Sequence, residues 1–257
     1  ERNLTLDMAG FDRAMEAQRE RARAASQFGS ADTGDLELSD VTEFVGYESL
    51  EDEATVIGII VNGAKVAQAN DDQDALVVLD KTPFYAESGG QAGDTGQLIA
   101  DGVVFNVTDT VKSGDAFLHQ AKSVSGRLSL GDKVKSVVDR PKRDATRLNH
   151  SATHLMHAAL RKILGEHVNQ RGSLVNAERL RFDFSHFEAV SKEQLREIER
   201  LVNTEIRNNS AIETEVMDLE SAKGRGAMAL FDEKYSAEVR VLTMGDGFSV
   251  ELCGGTH

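Results

Sequence analysis

Between Val41 and Val138 the chain is built from short apolar runs rich in valine and isoleucine, such as ATVIGIIV, ALVVLD and VVFNVTD, each broken by glycines or polar turn residues. Short strands at near-regular spacing with glycine turns predict a small antiparallel β-barrel or a sandwich, and of the two we favour the barrel. Upstream the pattern is different. Residues 7 to 28 have high helix propensity, with Met8, Phe11, Met15 and Ala22 forming a thin apolar stripe among many charges. Residues 29 to 40 (GSADTGDLELSD) have the small, polar, acidic composition of a linker. Beyond Pro141 the periodicity mixes. His150 to Leu164 reads as a helix stopped by Gly165, and RLRFDFSH alternates as a half-buried strand. Ser191 with Gln194 forms a capping box that opens an amphipathic helix, KEQLREIERLVNTEIRN, and IETEVM, EVRVLTM and FSVEL read as strands for it to cover. The fold class that follows is α+β. An N-terminal helix and linker span 1–40, a glycine-rich antiparallel barrel spans 41–138, and a two-layer α+β domain spans 139–257.

Composition adds limits. With 257 residues and 40% hydrophobic content the chain can bury a sizeable core. No run of eighteen apolar residues occurs, so no membrane partner is expected and the chain reads as soluble and cytoplasmic. The single cysteine, Cys253, excludes an internal disulfide and leaves a metal ligand, a nucleophile or inert packing as its role. A net charge of -14 argues against nucleic acid, yet Lys133 to Arg181 holds eleven basic residues against four acids. That basic stretch surrounds the residues with the most chemistry. The chain opens without methionine and stops on the last residue of a motif, so we expect it to be an excerpt of a longer polypeptide.

His150 and His154 stand four apart on a predicted helix, which puts both imidazoles on one face a turn apart. Cys253 and His257 repeat that spacing across Gly254 and Gly255. Together they offer three nitrogens and one sulfur, a donor set that suits one tetrahedral Zn2+ with Zn–N of about 2.0–2.1 Å and Zn–S of about 2.3 Å. A hard, oxygen-preferring cation would not choose it. Ser151 stands where an H-E-x-x-H metalloprotease has its glutamate, so that chemistry is excluded.

The same residues carry a family resemblance. RLNHSATHLMHAAL with the distant ELCGGTH resembles the paired zinc signature of the editing domain shared by alanyl- and threonyl-tRNA synthetases and free-standing alanyl-tRNA deacylases. TPFYAESGGQAGDTG (82 to 96) is similar to the glycine-rich segment of the barrel that precedes this domain in the alanyl branch, and FDRAMEAQRERAR to the helix joining the tRNA-recognition and editing regions. Together the three motifs resemble those of the bacterial-type alanyl-tRNA synthetases. The resemblance implies a zinc-dependent ester hydrolase that removes serine or glycine from tRNA(Ala), a discrimination that an activating pocket sized for alanine cannot make by itself. It implies the acceptor end of tRNA(Ala) and the remaining synthetase domains as partners. It also points to Gln170 and Ser173 in HVNQRGSLV, together with Thr153, as the polar groups that read the amino acid. Arg140, Lys142, Arg143, Arg147 and Arg171 are the candidates to hold tRNA phosphates. Two alternatives stay open: a free-standing deacylase acting in trans, and a non-catalytic module whose zinc only holds the fold together while it binds RNA.

Overall fold

The computed structural model describes residues 7–25, 41–228 and 237–257. Helix α1 runs Met8–Ala25, with Met8 and Phe11 each 56% exposed. The linker expected over 29–40, and residues 26–28 of the expected first helix, lie outside the described residues.

Six strands form the barrel: β1 (Glu51–Val61), β2 (Asp74–Leu79), β3 (Gly96–Ala100), β4 (Val103–Ser113), β5 (Ala116–Ser125) and β6 (Lys133–Val138). Their order is β1-β2-β5-β4-β3-β6, every pairing is antiparallel, and β6 pairs back onto β1 with Val134 opposite Ala54, so the sheet closes. Alternation explains which face points inward. In β4, Phe105 and Val107 are buried while Asn106 and Thr108 are exposed. In β1 the phase changes: Ala54 and Val56 line the core, then a register shift between Val56 and Gly58 hands the inward position to Ile59 and Val61. A bulge of this kind bends the strand around the barrel.

A titratable polar group sits in this interior. His119 on β5 is fully buried, with Nε2 2.7 Å from Thr82 Oγ1 and Nδ1 2.8 Å from the Val77 carbonyl. Burial pushes its pKa down to about 4 from 6.5. The unfolded chain therefore takes up the proton first, so the stability tied to a neutral His119 is complete above pH 6.5 and is lost as pH falls towards 4, by about 1.4 kcal/mol per pH unit. In urea titrations between pH 7 and pH 4, His119→Gln is expected to remove that slope. An unchanged slope would mean that other groups carry the acid sensitivity.

The second part of the chain begins with helix α2 (Arg140–Leu164), capped by Asp139, whose side chain accepts from the Lys142 amide, and ended at Gly165. It starts ten residues before the helix expected from the sequence, because Pro141 falls in the first turn, where a missing N–H costs nothing. The hairpin β7 (Gln170–Val175) and β8 (Leu180–Phe184) and the helix α3 (Lys192–Asn208), with its Ser191–Gln194 capping box, pack against α2. Strands β9 (Glu213–Asp218), β10 (Glu238–Met244) and β11 (Ser249–Leu252) form a three-stranded antiparallel sheet with β10 in the middle. Leu155 of α2 meets Leu242 and Met244 of this sheet, which brings α2 alongside the end of β11. Among the described residues no helix is long and apolar enough to cross a membrane.

The two parts are joined by a buried ion pair. Arg143 on the second turn of α2 donates from Nε to both Asp94 oxygens at 3.0 and 2.9 Å, from Nη1 to the Gly46 carbonyl and from Nη2 to the Pro83 carbonyl, both at 2.8 Å. This corrects the expectation that Arg143 holds tRNA phosphate. The side chain is 1% exposed and its donors are taken up by Asp94 and the Gly46 and Pro83 carbonyls, although it borders the same cleft as Arg140 and Arg147.

Candidate metal centre

The i, i+4 pair on α2 and the segment that follows β11 meet at one point. The ligand atoms of His150, His154, Cys253 and His257 all lie within 4.8 Å of one another. Cys253 Sγ is 3.5 Å from His150 Nε2 and 3.4 Å from His257 Nε2. The His150 and His154 rings are stacked with centroids 5.0 Å apart, as the spacing on one helix face predicts.

Each imidazole is held from behind through Nδ1. That of His150 is 2.8 Å from Gln91 Oε1, that of His154 2.6 Å from Glu251 Oε2, and that of His257 3.2 Å from Ser151 Oγ. The Nε2 atoms are thereby left to converge, and that of His154 is buried with no hydrogen-bond partner. Glu251 also accepts from His157 Nδ1 at 3.0 Å, so one buried carboxylate orients two neighbouring rings on α2. Burial would raise the Glu251 pKa, but the charge and hydrogen bond of His154 outweigh it and hold the carboxyl below its ordinary range. Burial also raises the Cys253 thiol, yet the surrounding imidazoles, that of His150 first, hold it well below its ordinary value, which favours the thiolate that a metal takes. His257 is pushed down to about 3, chiefly by burial, and so is neutral. A thiolate and three oriented imidazoles, each backed by a partner, fit a zinc-type ion.

The ligand-bearing loop is fixed by its carbonyls. Arg240 of β10 donates to those of Cys253 and Gly255, at 3.2 and 2.8 Å, and Tyr47 Oη donates to that of Gly254 at 2.6 Å. The Arg240 guanidinium also lies 4.3 Å from the centre of the Tyr47 ring. Gly255 has no freedom to be anything else: a Cβ there would stand 2.1 Å from His150 Cε1.

The site opens on a cleft of about 550 Å³. Thr153, Gln170 and Ser173 all line it, opposite Tyr47, Tyr85 and Ser88 from the barrel side. Thr153 donates its hydroxyl hydrogen to the Asn149 carbonyl at 2.8 Å, so towards the cleft it can only accept. A neighbouring cleft of about 290 Å³ shares Tyr47 and Arg240 with the first and is lined by Arg140 and Arg147. Arg147 also donates from Nε to the His257 carbonyl at 2.6 Å. Lys142 is exposed and 3.2 Å from Thr95 Oγ1, while Arg171 is exposed and lines neither cleft. Gln91, Glu251, Tyr47 and Arg240 were not singled out from the sequence. Gln91 stands in the glycine-rich segment and Glu251 two residues before Cys253, but no spacing rule assigns either to a histidine.

A closed antiparallel barrel thus meets an α+β layer, with three histidines and a cysteine that could hold a metal ion at the junction. Residues 1–142 match the family of class II tRNA synthetases (A), and the chain belongs to that family. It is 56% identical over all 257 residues to an alanine-tRNA ligase of Saccharophagus degradans, 56% to one of Pseudomonas savastanoi pv. phaseolicola and 55% to one of Pseudomonas entomophila. In each case the alignment takes in 100% of this chain and 29% of the relative, so the chain spans less than a third of the length of these ligases.

Proposed function

We propose that this chain is the editing region of an alanyl-tRNA synthetase, a cytoplasmic, zinc-dependent esterase that releases serine or glycine wrongly attached to tRNA(Ala). The observation that carries the reading is the four-ligand cluster opening on a cleft whose walls hold Thr153, Gln170 and Ser173. The likeness to alanine-tRNA ligases along the whole chain supports it. We assign residues 1–40, 41–138 and 139–257 to the helix with linker, the barrel and the editing domain.

Zinc bound by His150, His154, Cys253 and His257 would supply Lewis acidity at the ester or at a water. The chain's own groups select the substrate. Gln170 can both donate to and accept from a serine hydroxyl or a ribose 2'-OH, and Thr153 accepts. Against serine, alanine leaves those groups unpaired, and a site that depends on such bonds can reject the analogue lacking them by about 10⁴–10⁵; glycine also lacks the hydroxyl and would be separated from alanine by its smaller size instead. Arg140 and Arg147, with Lys142 and Arg171 further out, would hold phosphates of the acceptor end, and the remaining synthetase domains would supply the rest of the tRNA contact.

Single-turnover hydrolysis of seryl- and alanyl-tRNA(Ala) by the zinc-loaded chain tests the reading. The seryl ester should be cleared and the alanyl ester spared, and Gln170→Leu should slow seryl clearance about tenfold, the worth of one hydrogen bond. Buffer-level rates on both esters would sink the proposal. Four protein ligands also fit a closed structural site. On that second reading the chelated chain unfolds and the zinc-loaded chain hydrolyses neither ester.

A further inference from the structure

We propose that Gln91, carried by the barrel, is a positioning residue for the metal centre: its side-chain amide sets the tautomer of His150 and so makes metal affinity depend on how the glycine-rich segment is docked. This rests on the metal-binding reading above.

Gln91 is fully buried, and all of its side-chain hydrogen bonds cross to the other part of the chain. Its Nε2 donates to Thr256 Oγ1 at 2.9 Å, and its Oε1 accepts from the Thr256 amide at 3.0 Å and faces His150 Nδ1 at 2.8 Å. A backbone N–H can only donate, so the atom that meets Thr256 N must be the amide oxygen. A side-chain amide flipped the other way would set NH2 against N–H. With the oxygen placed there, the ring nitrogen that faces it must carry the proton, and His150 is fixed as the Nδ1–H tautomer. Its Nε2 lone pair is then the atom presented to Cys253 Sγ. The reasoning differs for the other two imidazoles: His154 Nδ1 faces the Glu251 carboxylate, and His257 Nδ1 faces the Ser151 hydroxyl, which can play either role. Gln91 therefore does for His150 what Glu251 does for His154, but from a strand-and-turn element 59 residues earlier in the chain.

Its own backbone is held in place. The amide of Ala92 donates to the Val175 carbonyl at 2.9 Å and the amide of Val175 to the Gly90 carbonyl at 2.8 Å, a clamp of the segment onto β7. Gly90 has φ +87°, and a Cβ there would come within 2.8 Å of the Ser173 carbonyl oxygen. Gln91 thus reports the docking of the barrel directly to a metal ligand, and it borders the strand that carries Gln170 and Ser173.

The test measures zinc affinity by chelator competition and the His150 tautomer by long-range proton–nitrogen-15 correlation, on the 257-residue chain and three variants. Gln91→Leu should weaken zinc about 10–100-fold, the usual effect of losing the partner behind a ligating histidine, and should populate the Nε2–H tautomer in the metal-free chain. Gln91→Glu keeps an acceptor towards both donors and should stay within about threefold of the parent. Thr256→Val removes only the bond from Nε2 and leaves Oε1 between the Thr256 amide and His150 Nδ1, so it too should keep zinc affinity within about threefold. If Gln91 were only glue between the two parts, Gln91→Leu and Thr256→Val would lower affinity alike and leave the tautomer unchanged. That result, or unchanged affinity in Gln91→Leu, overturns the proposal. A parent chain that binds no zinc would instead overturn the metal-binding reading, and a tautomer unchanged by Gln91→Leu in that metal-free chain would overturn this one separately.

Discussion

Arg143→Ala is expected to lower the unfolding free energy by about 3–5 kcal/mol, the cost of removing one partner of a buried pair and leaving the other charged and unpaired. For a chain of this size that is a fall of roughly 10 °C in Tm, read by calorimetry or circular dichroism. The effect is large because the guanidinium serves three acceptors at once: the Asp94 carboxylate and the carbonyls of Gly46 and Pro83. Asp94, 6% exposed, has only the Tyr85 amide left when the arginine is gone. Arg143→Lys should recover less than half of the loss, since one ammonium cannot reproduce the planar fork. A change below about 1 kcal/mol would be that of an exposed arginine and would contradict the burial. Pro83 and Asp94 flank the segment that carries Gln91, so the variant should also weaken zinc in the competition assay.

Cys253→Ala should weaken zinc by about 10²–10³-fold. Zinc sites with four protein ligands bind with about 10–16 kcal/mol, and one thiolate of four accounts for roughly 3–4 kcal/mol of that. Zinc content after dialysis against a weak chelator reads the affinity. Chelation should lower the parent's Tm and leave the variant's nearly unchanged, because a ligand that binds only the folded chain stabilises it by mass action. Seryl-tRNA hydrolysis should fall in parallel if the site works as proposed. Equal zinc retention by both chains would remove Cys253 from the ligand set.

The barrel was legible because its strands alternate: Phe105 and Val107 inward with Asn106 and Thr108 outward can be read from VVFNVTD alone. The phase change at Gly58 was not, since a bulge is defined by its partner strand. The third helix was read to the residue because Ser191 and Gln194 cap it locally, whereas the first ten residues of α2 were lost to the assumption that Pro141 marks a boundary rather than a first turn. At the site, spacing placed His150 beside His154 and Cys253 beside His257. That the two pairs meet depends on Leu155 packing against Leu242 and Met244, a contact between residues almost ninety apart. Arg143 was misread for a related reason: a count of charges treats every arginine as solvent-facing, and burial is a tertiary property. Gln91, which meets Thr256 across 165 positions, has no local signature at all.

Closure of the barrel bears on how the chain folds and on which strand edges it exposes. Lys133 pairs with Thr55 and Val137 with Glu51, so the last strand returns to the first across about eighty residues. Within the ring those two strands offer no open row of amides and carbonyls to a neighbouring molecule, which is how closed sheets avoid edge-to-edge aggregation. The same seam is the most non-local pairing of the barrel. Loop-closure entropy must be met before that contact gives anything back, which places folding of this part towards the millisecond-to-second regime of β-rich topologies. Until the seam zips, the nascent barrel exposes the very edges that its finished form conceals.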